Sequence, residues 1–104
     1  SKSLYVSSMG AGSVVRMGLD GKILNSTWVT GLTSNKGSAL HSGRFYTAET
    51  ADLAVVDVAT ATADRATVIK RIPVAGAVML NDVAIDANGV VYVTDTRAGK
   101  VYRI

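Results

Sequence analysis

The sequence of 104 residues contains no cysteine, and only one proline, one histidine and one tryptophan. The absence of cysteine excludes disulfides, thiolate nucleophiles and cysteine-ligated zinc. The sequence also has no signal peptide and no apolar run long enough to cross a bilayer. We therefore expect a soluble protein without a membrane partner, for which a cytoplasmic and an exported location both stay open.

The net charge of the sequence is also small. Eleven basic residues stand against eight acidic ones, which gives a net charge of +3. The basic residues are scattered and form no run or stripe, whereas a nucleic-acid surface needs clustered charge with interleaved aromatics. This pattern predicts no nucleic-acid partner.

Repetition is what the sequence does contain. Residues 4–8 (LYVSS) return as 45–49 (FYTAE) and again as 91–95 (VYVTD), at intervals of 41 and 46 residues. A period in the low forties that is built from strands is typical of a β-propeller. The fold predicted is all-β, with four-stranded antiparallel blades.

Two further phrases follow the same intervals. Residues 14–17 (VVRM) are matched to 55–58 (VVDV) and to 101–104 (VYRI), and residues 35–43 are matched to 81–89. Short β-branched and aromatic runs, each closed by Gly, Asn, Asp or Ser, predict ten strands. These are 4–8, 13–19, 23–30, 36–41, 44–49, 53–58, 66–72, 82–86, 90–95 and 100–104.

The ten strands group into three pieces, 1–34, 35–80 and 81–104, with three, four and three strands. We expect a partial propeller of about two and a half blades, in which the first piece lacks an inner strand and the last lacks an outer one. Such a segment exposes two apolar blade faces. It is therefore predicted to form a homo-oligomer or to pair with the remainder of a longer propeller.

The residues that open the two inner strands are the best site candidates. Matched spacing predicts Asn35 and Asn81 at equivalent places in adjacent blades, with Asp82 following Asn81. Amide and carboxylate oxygens that converge on one axis suit a hard cation such as calcium. The alternative is that these side chains bond the local backbone in Asx-turns.

Other polar residues give weaker hypotheses. The only histidine, His41, is either a base that lines the channel or a turn residue. A Ser-His-Asp set can be assembled on paper from Ser38, His41 and Asp86, but no nucleophile elbow is present. Glu49 and Asp95 end equivalent strands, and turn hydrogen bonds are preferred there to a catalytic pair of carboxylates.

The aromatic residues are assigned to packing. Tyr5, Tyr46 and Tyr92 occupy one position of the repeat and are predicted core aromatics. Trp28, in an outer strand, is predicted to pack between neighbouring blades rather than to stack on a ligand.

Four segments carry a resemblance to a known family. Residues 35–40 (NKGSAL), 80–86 (LNDVAID), 91–96 (VYVTDT) and 99–104 (GKVYRI) look like the SMP-30/gluconolactonase/LRE-like family of six-bladed propellers, which is related to paraoxonases. The resemblance covers essentially the whole chain, as an internal segment of such a protein. NHL-type propellers, which mostly bind partners, share the phrase around Tyr92.

The resemblance implies a divalent metal, often calcium, at the axis and hydrolysis of lactones or related esters. By motif, Asn81 matches a metal-binding asparagine, and Asn35 is the second candidate, with Asp82 in or near the ligand shell. The acidic ligand of an early inner strand has no counterpart here, and no catalytic residue is assigned. The sequence is therefore compatible with two functions: a metal-dependent lactonase-like hydrolase, and a non-catalytic propeller that acts as a binding scaffold.

Overall fold

The computed structural model describes residues 3–104, which form ten β-strands. The strands are β1 (Ser3–Ser8), β2 (Ser13–Gly18), β3 (Ile23–Val29), β4 (Ser38–His41), β5 (Arg44–Ala48), β6 (Asp52–Asp57), β7 (Thr67–Pro73), β8 (Leu80–Ile85), β9 (Val91–Asp95) and β10 (Lys100–Arg103). They form three antiparallel sheets: a first sheet β1-β2-β3, a middle sheet β4-β5-β6-β7 and a third sheet β8-β9-β10. The all-β prediction and its grouping of three, four and three strands are confirmed.

Glycine turns set the positions of these strands. The tight turns at 20–21, 42–43 and 88–89 all contain a glycine with positive φ, with values of 85°, 75° and 85° at Gly21, Gly43 and Gly89. Ser42 also has a positive φ, of 49°, so both central residues of the β4–β5 turn adopt the left-handed conformation that a two-residue hairpin requires. The segment 59–66 is irregular, with a turn at 59–60 and a bend at 63–64, although its Ala-rich composition favours helix.

Two apolar cores fill the spaces between neighbouring sheets. The first consists of Val14, Trp28, Val29, Leu32, Phe45, Ala54, Val56 and Ala66. The second consists of Ala48, Leu53, Val74, Leu80, Val83, Val91 and Val93. Because successive side chains of a strand point to opposite faces, β5 directs Phe45 into the first core and Tyr46 towards the second.

Trp28 joins the first sheet to the middle sheet, as predicted. Its side chain is 2% exposed, and its ring stacks on Tyr5 at a centroid distance of 4.6 Å. The indole Nε1–H donates to the Thr62 carbonyl at 2.9 Å, which satisfies its only polar group. Burial of a side chain of this size contributes about 3 kcal/mol.

The middle sheet has a shorter β5–β6 hairpin than its neighbours. Ser8 pairs with Ser13 and Asp95 with Lys100, so four residues separate the strands of the first and third sheets. In the middle sheet the Glu49 N–H donates to the Asp52 carbonyl, which leaves only two residues between them.

The match of residues 55–58 to 14–17 is therefore wrong by two positions. Ala48, the equivalent of Ser7, lies opposite Leu53, whereas Ser7 lies opposite Val14. Leu53, rather than Val55, is thus the equivalent of Val14. A shift of two residues keeps every side chain on its original face, so the buried positions are conserved although the spacing is not.

The three sheets remain open, and none of them closes on itself within residues 3–104. The same range contains no helix that is long and apolar enough to span a membrane.

Candidate functional site

The segments that open β4 and β8 lie side by side. The Gly37 N–H donates to the Asn81 carbonyl at 2.7 Å. A Cβ atom on Gly37 would collide with the Asp82 carboxylate and would come within 2.7 Å of the Asp82 Cα. Only glycine permits this approach. We call residues 35–37 and 81–82 the corner.

Asn35 is buried inside the corner and links it to the first sheet. The residue is 0% exposed, and its side-chain Nδ2 donates to the Ser13 carbonyl at 2.9 Å. Its Oδ1 atom is also buried, and no described residue donates a hydrogen bond to it. Half of this amide therefore has a structural role, while the other half retains an acceptor.

Asn81 and Asp82 are more accessible. Asn81 is half-buried and Asp82 is exposed. The Asp82 N–H donates to Thr94 Oγ1 at 3.0 Å, and Asp82 Oδ1 accepts the Val83 N–H at 2.8 Å. One carboxylate oxygen of Asp82 thus bonds the local backbone, but to the next residue and not two residues on, as an Asx-turn requires.

Strand register contradicts the predicted equivalence of the two asparagines. Ser38 lies opposite Thr47 in the middle sheet, and Val83 lies opposite Val93 in the third sheet. Thr47 and Val93 hold the same position of the central strands, so Ser38 and Val83 are equivalent. The interval between β4 and β8 is therefore 45 residues, not 46.

Counting back along both strands places Asn35 level with Leu80 rather than with Asn81. Both Asn35 and Leu80 are 0% exposed, in keeping with this pairing. The slip arises in the hairpin turns, because two residues join β4 to β5 while Asp86 and Val90 enclose three. Asn35 and Asn81 therefore meet at one corner as neighbours, not as repeats of one another.

The donors of the corner do not fit a calcium ion on their own. Calcium takes six to eight oxygen ligands and gains most from carboxylates. The corner contributes one carboxylate, on Asp82, and one oxygen of that group already accepts the Val83 N–H. Over the described part of the chain, no group of three or more His, Cys, Asp or Glu side chains is arranged to hold a metal.

Ser38, His41 and Asp86 are not connected by side-chain hydrogen bonds within residues 3–104, so the possible Ser-His-Asp set is not formed. Asp86 instead accepts the N–H groups of Asn88 and Val90 at 2.9 and 3.0 Å. The Val90 N–H is the main cause that holds the pKa of Asp86 below its ordinary value. His41 lies beside the turn of the third sheet, since a Cβ on Gly89 would sit 3.4 Å from its Nε2.

Asp95 forms the predicted turn hydrogen bonds, with the N–H groups of Arg97 and Ala98, whereas Glu49 bonds to residues distant in the sequence. Both are almost fully buried, at 1% and 2% exposure. Glu49 accepts the Thr33 N–H at 2.6 Å, and Asp95 accepts the Val78 N–H at 2.7 Å. Each carboxylate therefore ties the segment that leads into the first strand of its own sheet.

Glu49 has two charged neighbours, Arg71 and Asp52, that its position at a strand end did not predict. Arg71 Nε donates to Glu49 Oε1 at 2.9 Å, and its Nη2 donates to the Gly31 carbonyl at 2.8 Å. Asp52 lies across the short hairpin, where burial and the nearby Glu49 carboxylate raise its pKa to about 6. The two-residue loop, had its length been recognised, would have predicted this pair of carboxylates.

The sequence matches no protein-family model and has no significant match among curated proteins.

Proposed function

We propose that the chain is a segment of a β-propeller and that it acts as a binding scaffold. The observation that carries this proposal is the use made of its polar residues. Asn35, Glu49 and Asp95 are all buried, and all three hold loops to sheets. Catalytic groups have to reach a substrate, whereas these groups support the framework.

The packing of the sheets supports the propeller arrangement. Each of the two cores lies between consecutive sheets, and β8 of the third sheet contacts β4 and β5 of the middle sheet. Sheets that contact only their sequence neighbours make a repeat array, whose stability is the sum of repeat and interface contributions. The corner presents Lys36, Asn81 and Asp82 beside one another, and we propose this polar edge as the surface that meets a ligand or protein partner.

A metal-dependent lactonase-like hydrolase is the second candidate. The buried Oδ1 of Asn35, which accepts no hydrogen bond from residues 3–104, favours it, because a buried acceptor without a donor is the kind of atom that a cation satisfies. Asn35, Asn81 and Asp82 would then supply part of the ligand set, and carboxylates from further sheets would supply the rest. When bound, such an ion would polarise a lactone carbonyl as a Lewis acid.

Calcium titration separates the two candidates. We expect no rise in melting temperature of the full chain up to millimolar calcium, and no lactone turnover that a chelator abolishes. A rise in melting temperature that Asn81→Ala removes and Asn88→Ala retains would favour the hydrolase instead. Asn88 is the matched control because it lies in the turn at the far end of β8.

A further inference from the structure

The first and third sheets each expose one face, and the equivalent face of the neighbouring sheets is covered. Within residues 3–104, the face of the first sheet that points away from the middle sheet has five large apolar side chains and no charged one, and we call it the head face. It consists of Leu4, Val6, Val15, Met17 and Ile23. The opposite end, the tail face of the third sheet, consists of Asp82, Ala84, Tyr92, Thr94, Val101 and Arg103.

The head face matches positions that are buried in the other sheets. Because β1, β5 and β9 are equivalent strands of the repeat, Leu4 is equivalent to Phe45 and to Val91. Phe45 is 3% exposed and Val91 is 6% exposed, because a preceding sheet covers each of them. Leu4, which has no preceding sheet among residues 3–104, is 46% exposed, and Val6 is 41% exposed.

The tail face likewise matches positions that are covered. Tyr5 meets Phe45 of the next sheet edge-on, with ring centroids 5.8 Å apart, and Tyr46 packs against the second core. Tyr92 holds the same position but belongs to neither core, so its assignment as a core aromatic is wrong for this chain. Val101 beside it is 65% exposed.

A cleft of about 240 Å³ opens on the tail face, between Tyr92 and Val101. In the seam between the first and middle sheets, the residue that meets the equivalent tyrosine is Phe45, the counterpart of Leu4. Leu4 of another head face is therefore the side chain that the repeat pattern places against Tyr92.

We infer that the tail face of one copy binds the head face of a second copy, in a head-to-tail seam that repeats the two internal seams. The occupant is a second copy because this one chain carries both halves of the same seam at opposite ends. A contact between two different patches is heterologous, so it propagates or closes into a ring. The inference deepens the proposed scaffold function, and it rests on the stacking of sheets in that proposal.

Sedimentation analysis of the full chain tests the seam, with one charge placed on each half. Val6→Asp damages the head face and Val101→Asp damages the tail face, and both side chains are exposed enough for folding to tolerate the change. We expect wild-type protein to associate with rising concentration. Each variant alone should bind itself more than about tenfold more weakly, because a carboxylate would be buried without a partner.

Mixing the two variants distinguishes a head-to-tail seam from a symmetric one. The intact tail of Val6→Asp can bind the intact head of Val101→Asp, so the mixture should form a one-to-one dimer. Ile69→Asp is the matched control: it places the same charge on a side chain that is 49% exposed, outside both faces, and should associate like wild type.

Three results would overturn the inference: a wild-type monomer at all concentrations, unchanged association of either variant alone, or a mixture that stays monomeric. Circular dichroism confirms that each variant is folded. The calcium titration is independent of this test, so a monomeric protein would reject the seam and leave the choice between scaffold and hydrolase to the titration.

Discussion

Glu49 and Asp95 occupy one position of the repeat, yet they are neutralised in different ways. Asp95 accepts four backbone N–H groups, from Val78, Met79, Arg97 and Ala98. Glu49 accepts one, from Thr33, and completes its bonding with the guanidinium of Arg71. The third sheet thus satisfies a buried carboxylate with its backbone, and the middle sheet does so with an ion pair.

The difference follows from the length of the adjacent hairpin. Four residues follow Asp95 before β10 begins, and two of them donate N–H groups back to its carboxylate. The middle hairpin has only two residues, too few to fold back in this way, and it brings Asp52 close to Glu49 instead. Loop length therefore determines whether backbone N–H groups alone stabilise the carboxylate at this position or whether another side chain is needed.

Removal of the Asp95 carboxylate should lower the stability of the protein more than any other change at these two positions. We expect Asp95→Ala to lower the free energy of unfolding by about 3 kcal/mol, because it leaves four N–H groups without their acceptor. Urea unfolding followed by circular dichroism measures this. Asp64→Ala, on an exposed turn, is the control and should change stability by less than about 0.5 kcal/mol. A loss below about 1 kcal/mol for Asp95→Ala would mean that water replaces the carboxylate.

Substitution of Glu49 by glutamine should cost less, about 2 kcal/mol. The amide oxygen still accepts the Thr33 N–H, but the charge that Arg71 pairs with is lost. Half-exposed Arg71 can recover part of its hydration, which limits the loss. A double-mutant cycle of Glu49→Gln with Arg71→Gln measures the coupling by urea unfolding. Additive single effects would show that the ion pair contributes nothing, so that Arg71 would not stabilise the buried Glu49 carboxylate.

Asp52 should give the middle sheet a pH dependence opposite in sign to the one that Asp95 gives the third sheet. Burial, followed by its bond with Glu49, raises the pKa of Asp52 from its ordinary 3.8 to about 6. The folded state then binds more protons than the unfolded state between these values, so this group lowers stability as pH rises through the window. For Asp95, burial opposes the charge but the four N–H groups outweigh it and lower the pKa, so its contribution is lost as pH falls.

Asp52→Asn isolates this effect. The amide donates to Glu49 at every pH, as the protonated acid does, so above pH 6 the variant should be more stable than wild type. The pKa difference corresponds to about 3 kcal/mol, which solvent screening of the partly exposed Asp52 reduces to about 1 kcal/mol. The difference should shrink towards zero near pH 4. Thermal or urea unfolding across this range measures it, with Asp64→Asn as the flat control. A constant difference at all pH values would show that Asp52 titrates normally.

The strands could be predicted from the sequence because their cause is local. Alternation of apolar residues and glycine turns such as 42–43 and 88–89 determine where a strand begins and ends, whatever lies around it. All ten strands were found, with ends shifted by one or two residues. The turn bonds of Asp95 were also predictable, because Arg97 and Ala98 lie in the adjacent hairpin. The ion pair of Glu49 was not, because Arg71 lies 22 residues away.

The site could not be predicted to the same degree, because register is not local. Asn35 and Asn81 seemed equivalent only because spacing was counted from one turn glycine to the next, and turns of two and three residues hide a slip of one. Partners distant in the sequence were equally hidden. Nothing near Asn35 indicates that Ser13, on another sheet, accepts its Nδ2–H.

Gly37 allows the segments that open two neighbouring sheets to approach each other because it lacks a side chain. Its bare Cα lets the backbone of the middle sheet touch the backbone of the third at the corner, while side chains keep the sheets apart elsewhere. A larger residue at position 37 would have to displace the Asp82 backbone, and with it the bond from the position 37 N–H to the Asn81 carbonyl. The junction between the middle and third sheets therefore depends on the absence of a single methyl group.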